Sequence, residues 1–348
     1  MRNKWTSDLM TGKLDEWFPP GGRAAGIEQY FSAAASLIEC ACSGEGFHFH
    51  FTANINAVPV QGQKSVIFVM SEENGLLPRY TGSVRAVFKC YGAKPFRTTE
   101  WSHPSLILSS CAKDAIVYKR ALSSRCQWRL DQLRRANAFA RATVHHIPLG
   151  YYAFPPAEIT PWNARVNDVF FAGSLRQRAV TQKSIFQVPT PKQVVRDDLA
   201  RSLRKFEAKA KWKLKLLLAG SFVPFAAAFG LVPKGSTLTP EEYMKEMANS
   251  RICLAPRGTS FETFRHYEAA SVGCVLVSDR LPPTWFYKEA PFLIVKNWRK
   301  LDRVLDELLE KPAHLRELHE RTLSWWKTKL SPAALAEYVI DVLRRSPA

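Results

Sequence analysis

Arg265 and Glu268 are the residues of this chain whose types and spacing point most directly to chemistry. They lie three positions apart within SRICLAPRGTSFETFRHYEAASVGCVLVS, residues 250–278, and so share one face of a predicted helix. A polar turn, residues 256–260, precedes that helix. The first N–H groups of a helix favour phosphate, and Arg257 and Arg265 could bind it as bidentate donors. A carboxylate only accepts hydrogen bonds, so Glu268 is suited to ribose hydroxyls beside the phosphate.

Two predicted strands position these side chains. Residues 251–255 and 274–278 are apolar and read as buried strands, and Gly273 breaks the helix between them. The unit is therefore strand, helix, strand, with the polar turn at the carboxyl end of its first strand. In open α/β sheets ligands bind at that edge, so we expect a binding site there.

The same residues carry a resemblance to a known family. The segment resembles the donor-binding segment of exostosin-like glycosyltransferases and, more loosely, that of GT-B glycosyltransferases. The matching residues are Pro256, Gly258, Thr259, Ser260, Arg265, Glu268, Ala269, Gly273 and Cys274. The resemblance implies transfer of a sugar from a nucleotide-activated donor, with Arg265 on the diphosphate and Glu268 on the ribose. The looser GT-B pattern has a second glutamate eight residues before Glu-Ala, where this chain has Ser260.

A second glycine turn is predicted to face the same crevice. The strand predicted at residues 168–172 runs into Gly173, and Arg176 and Arg178 follow; exostosin-like sequences are similar here. Arg176 or Arg178 would neutralise the leaving diphosphate in place of a metal ion. The sequence contains no Asp-x-Asp triad, with which GT-A transferases usually hold a divalent metal. We therefore expect no metal and no cofactor apart from the nucleotide-sugar co-substrate.

The acceptor side requires a general base, since the resemblance implies an inverting transferase. Glu72 and Glu73 follow a predicted strand, residues 64–71, at its carboxyl end, and Glu73 or Glu72 is the natural choice. His48 and His50 compete for the role. They alternate along residues 47–51 and would share one face of a strand, where a partly buried polar face is the plainer interpretation.

Bulk composition indicates the partners. The chain has 348 residues, enough for two domains, and a formal net charge of +18. Basic residues gather at 119–141 and 196–215, which indicates an anionic glycan or glycolipid acceptor and an anionic membrane surface.

No zinc finger, RNP-like motif or heptad basic region occurs, so nucleic acid is not the expected partner. The chain has seven cysteines and no CxxC pair, which favours a reducing compartment. It shows no apolar run of transmembrane length and no secretory signal. We therefore expect a cytoplasmic protein that is peripheral to the membrane.

Short apolar runs predict further strands at residues 105–110 and 142–147. Thr239, with Glu242 three residues later, predicts a capping box at the beginning of a helix over residues 240–249.

Strands that alternate with helices predict an α/β fold of two Rossmann-like, doubly wound domains with a cleft between them, which is the GT-B plan. The proline-rich stretch 148–162 is the predicted linker. We assign residues 1–162 to the acceptor side, 163–330 to the donor side and 331–348 to a C-terminal helix that crosses back. Two other functions stay open: a non-catalytic nucleotide- or carbohydrate-binding protein, and a basic nucleic-acid-binding protein.

Overall fold

A computed structural model describes residues 3–8, 25–70, 76–91, 144–153, 155–156, 158–172, 198–203, 214–217, 238–258 and 260–345. The described strands form two sheets of five, and every described strand pair is parallel. The predicted α/β fold with two sheet domains is confirmed.

The first sheet keeps its strands in chain order from one edge to the other. The strands are β1 (Lys4–Ser7), β2 (His48–Thr52), β3 (Gly62–Val69), β4 (Val84–Lys89) and β5 (Val144–His146). Sequence patterning predicted β2, β3 and β5 but missed β1 and β4. Both missed strands carry lysine or arginine, which obscured the apolar pattern that marks a strand. The strand predicted at residues 105–110 lies outside the described residues.

Alternation along β2 separates two faces of this sheet. Phe49 and Phe51 are buried on one face, where Phe68 and Phe88 continue a row of stacked rings. The helix α1 (Ala25–Ala41) packs on this face. His48 and His50 point to the opposite face because successive side chains of a strand alternate.

The second sheet has the order β10, β9, β8, β6, β7. Its strands are β6 (Asn167–Ala172), β7 (Leu214–Leu217), β8 (Ser250–Ala255), β9 (Val275–Ser278) and β10 (Leu293–Ile294). The chain passes from β6 to β7 on one side and then returns to β8 on the other. The carboxyl ends of β6 and β8 therefore border a topological switch point, where open α/β sheets form a crevice.

Helices cover both faces of the second sheet, as expected for a doubly wound domain. Residues 198–203 are helical, and the helices described after them are α2 (Pro240–Ala248), α3 (Phe264–Ser271), α4 (Leu301–Leu309), α5 (Pro312–Trp325) and α6 (Pro332–Arg345). The capping box predicted for α2 is confirmed: Glu242 N donates to Thr239 Oγ1 at 3.2 Å and Thr239 N to Glu242 Oε2 at 2.7 Å.

The last helix, α6, packs against α1 and β4 of the first domain. Its Tyr338 ring stacks on Trp285 of the second domain at 4.3 Å, and Trp285 Nε1 donates to the carbonyl of His146 at the end of β5. Tyr30 of α1 donates from its hydroxyl to the Leu330 carbonyl just before α6. These contacts join the two domains. The exact domain boundaries, 1–162, 163–330 and 331–348, stay predictions.

Candidate nucleotide-binding site

Arg265 lies at the switch point of the second sheet. Its Nη2 donates to the carbonyl of Ala172, the last residue of β6, and its guanidinium lies 5.1 Å from the centre of the Phe171 ring. Arg265 belongs to α3, which follows β8, so its side chain spans the crevice between the ends of β6 and β8. Its Nε has no hydrogen-bond partner among the described residues. A cation held at this crevice is suited to an anionic ligand.

The turn after β8 is fixed by a buried aspartate. Arg257 N donates to Asp279 Oδ2 at 2.7 Å, and Trp298 Nε1 donates to Asp279 Oδ1 at 2.9 Å. Burial raises the pKa of Asp279, while these two hydrogen bonds oppose the shift. The Arg257 guanidinium lies 4.0 Å above the centre of the Phe261 ring. Sequence reasoning missed Asp279, although an acid placed directly after a buried strand was an available signal.

His266 ties the beginning of α3 to the neighbouring strand β9. Its Nε2 lies 2.7 Å from Ser278 Oγ, and that hydroxyl donates to the Ala255 carbonyl at 3.1 Å. Its Nδ1 lies 3.0 Å from Thr263 Oγ1. Burial lowers the pKa of His266 to about 4, so the imidazole is neutral near pH 7. The histidine therefore positions the turn and leaves the positive charge of the crevice to arginine.

Two more of the residues predicted to bind the nucleotide-sugar donor lie at this edge. Ser260 is buried, and its Oγ has no hydrogen-bond partner within the described part of the chain. A Cβ at Gly258 would lie 3.3 Å from Thr263 Cγ2, so a larger residue would crowd the turn. Thr259 lies outside the described residues, as do Gly173, Arg176 and Arg178, which follow the end of β6. The ligand roles of all these residues stay predictions.

Glu268 has partners that the sequence did not indicate. Its Oε1 accepts from the backbone N–H groups of Tyr152 at 3.1 Å and Ala153 at 3.0 Å, and its Oε2 accepts from the Tyr243 hydroxyl at 2.9 Å. The carboxylate is buried, which raises its pKa, and these hydrogen bonds with the nearby Arg265 charge oppose the shift. Since a carboxylate offers about four acceptor positions, these three donors leave one position without a donor among the described residues. The ribose role of Glu268 stays a prediction.

On the acceptor side, Glu72 and Glu73 lie outside the described residues. His48 is described on β2, where its Nε2 and the Nδ1 of His50 each lie 2.9 Å from Thr6 Oγ1. A hydroxyl has one proton, so at most one of the two rings accepts from Thr6. Burial lowers the pKa of both histidines, and His50 Nε2 lies 3.9 Å from Asp8 Oδ2. The arrangement agrees with the interpretation of a partly buried polar face.

The described residues contain no group of three or more His, Cys, Asp or Glu side chains placed to hold a metal ion. Within the same part of the chain, no helix has the length and apolarity needed to cross a membrane.

Parts of the chain are similar in sequence to known proteins. Residues 226–346 match the family model described as the RXYLT1 C-terminal domain. Exostosin-1 of Bos taurus is 36% identical over 81 residues, which cover 23% of this chain and 10% of the relative. Exostosin-1a of Danio rerio matches to the same extent. The predicted resemblance to exostosin-like glycosyltransferases is confirmed. The matched part of the chain spans only about a tenth of these exostosin relatives.

A solved structure is similar to this chain in fold. Sucrose-phosphate synthase from Thermosynechococcus elongatus superposes with a TM-score of 0.50 at 12% sequence identity, covering 99% of both chains. At this identity the likeness concerns the fold alone, and it agrees with an α/β chain of two domains.

Proposed function

We propose that this protein is a glycosyltransferase that transfers a sugar from a nucleotide-activated donor to a hydroxyl group of a glycan or lipid-linked acceptor. The observation that carries the proposal is the position of Arg265. Its guanidinium lies in the crevice between β6 and β8, and it belongs to residues 226–346, which match the model of the RXYLT1 C-terminal domain. Cationic groups held beside a leaving diphosphate stabilise the charge that develops as the glycosidic bond breaks.

The donor would bind along the beginning of α3. Arg265 binds the diphosphate, together with Arg176 or Arg178, and the backbone N–H groups near Gly258–Ser260 add further donors. The remaining acceptor position of Glu268 receives a ribose hydroxyl. Because arginine side chains take the place of a metal ion at the diphosphate, transfer needs no divalent metal. Activity is expected to survive excess EDTA, and a loss that magnesium or manganese restores would contradict this part of the proposal.

The acceptor would lie against the first domain, with Glu73 or Glu72 as the general base and inversion at the anomeric carbon. The net charge of +18 supports an anionic acceptor and attachment to the cytoplasmic face of an anionic membrane. Such attachment is expected to rise with the anionic lipid content of vesicles and to fall with ionic strength. Equal sedimentation with neutral and anionic vesicles would remove the membrane part of the proposal.

The proposed function is tested by ligand binding. In a thermal-shift screen of nucleoside diphosphates and nucleotide sugars, we expect one base to raise the unfolding temperature, because a ligand that binds only the native state stabilises it. Arg265→Ala should weaken binding of that ligand roughly 10- to 100-fold through loss of charge-assisted hydrogen bonds. Absence of binding by every nucleotide would contradict the proposal.

A matched control is Arg316→Ala, which removes the same charge from an exposed position on α5 where Arg316 pairs with Glu320 at 3.2 Å. This variant should bind like the wild type. Donor hydrolysis or transfer then separates an enzyme from a binding protein that lacks catalysis.

A further inference from the structure

The interdomain linker contributes an exposed aromatic ring beside Glu268. Tyr151 and Ala153 are buried, whereas Tyr152 between them is 37% exposed. Among the large apolar side chains that the structure describes as exposed, Tyr152 is the aromatic one; the others are Leu37, Ile159, Val166 and Ile294. The exposure does not come from a loose backbone, since the N–H groups of Tyr152 and Ala153 both donate to Glu268 Oε1.

A second ring backs the first. The centres of the Tyr152 and Phe264 rings lie 6.0 Å apart with their planes at 46°. Phe264 opens α3, four residues before Glu268 and one before Arg265, so Phe264 and Glu268 share a helix face. The Tyr152 ring therefore lies against the first residue of the helix that carries both the carboxylate proposed for ribose and the guanidinium proposed for diphosphate.

The connectivity of a nucleotide sugar decides which part meets this ring. The base is attached directly to the ribose, whereas the donor sugar is separated from the ribose by two phosphates. We propose that Tyr152, with Phe264 behind it, forms the stacking surface for the nucleobase of the donor. This inference rests on the proposed function. It makes the linker between the two domains a wall of the nucleotide site, so a bound base holds the linker against α3.

The test uses the nucleoside diphosphate that stabilises the wild-type chain most, with inorganic pyrophosphate and ribose 5-phosphate as probes that lack a base. Calorimetric affinities are compared for Tyr152→Ala and Tyr152→Phe. Both variants keep the backbone N–H and change an exposed side chain, so the contacts to Glu268 and the fold are retained. Ile159→Ala, at another exposed apolar residue of the linker, is the matched control.

We expect Tyr152→Ala to weaken binding of the nucleoside diphosphate roughly 5- to 100-fold, the effect of losing one base-stacking contact. Tyr152→Phe and Ile159→Ala should bind like the wild type, and pyrophosphate and ribose 5-phosphate should bind all variants equally. If Tyr152→Ala binds the nucleoside diphosphate with unchanged affinity, the inference is overturned and the proposed function is unaffected. A loss seen only with the nucleotide sugar would place the ring on the donor sugar instead and also overturns it. A wild-type chain that binds no nucleotide refutes both.

Discussion

The two sheets have the same number of described strands, all parallel, yet they place their polar groups differently. In the first sheet the strands follow chain order, so the described part has no switch point. The two histidines of β2, His48 and His50, lie beside Thr6 on one face of the sheet. In the second sheet the chain reverses between β6 and β8, and Arg265 occupies the crevice that the reversal opens. The difference teaches that strand order, rather than the type of strand, determines where a parallel sheet offers a binding crevice.

The largest expected effect concerns the catalytic role assigned to the first domain. Glu73→Gln keeps the size of the side chain and removes its basicity, so it should leave nucleotide affinity intact and lower turnover roughly 10²- to 10⁴-fold. Glu72→Gln should lower turnover less. If Glu73→Gln keeps near-normal turnover and His48→Ala loses turnover, the general base lies on β2 and not at Glu73. Single-turnover kinetics measures the transfer step, and calorimetry measures nucleotide binding separately.

The next prediction tests the structural role of Glu268 between the linker and the second domain. Glu268→Ala leaves two backbone N–H groups and the Tyr243 hydroxyl without their acceptor in a buried site. An unsatisfied buried polar group costs about 1–3 kcal/mol, so we expect the free energy of unfolding to fall by roughly 3 kcal/mol or more. Urea denaturation measures this change. Glu268→Gln keeps an oxygen for the two amides and should lose much less, and equal loss in both variants would contradict the linker contact.

Both domains contain a glycine in the left-handed region on the way from a helix into a strand. Gly273, with φ of 73°, precedes β9, and an added Cβ would lie 2.6 Å from His319 Cε1. Gly44, with φ of 90°, precedes β2 and would have no atom within 4 Å. Gly44→Ala should cost about 1–2 kcal/mol, the conformational term alone. Gly273→Ala should cost clearly more, because His319 must move; similar losses in thermal unfolding would exclude that steric contribution.

The effect that is smallest near neutral pH is a pH dependence. The pKa of His266 is about 4 in the fold, against an ordinary 6.5, so the unfolded chain binds more protons between these values. His266 therefore contributes stability that is present above pH 6.5 and is lost as the pH falls toward 4, by at most about 3 kcal/mol. Unfolding free energies measured across this window should vary less in His266→Asn than in the wild type. Parallel pH profiles would show that another group is responsible.

The sequence by itself determined the α/β class, the strand, turn, helix and strand of residues 250–278, and the place of Arg265 on the helix of that unit. These features depend on local apolar periodicity, turn residues and helix spacing, which neighbouring residues carry. The α2 capping box is local in the same sense, and it was predicted correctly. The short strands β1 and β4 were missed because their own residues lack a clear pattern, and pairing with neighbouring strands makes them extended.

Only the tertiary structure decided what surrounds these residues. The acceptor positions of Glu268 are used by amides 116 and 115 residues away in the chain and by a hydroxyl on another helix, and no sequence spacing encodes such contacts. The partners of Asp279 depend in the same way on how distant segments of the second domain pack, and the exposed ring of Tyr152 beside α3 depends on how the two domains pack. Burial and long-range pairing arise from the whole fold, because they depend on which distant segments exclude water from a side chain.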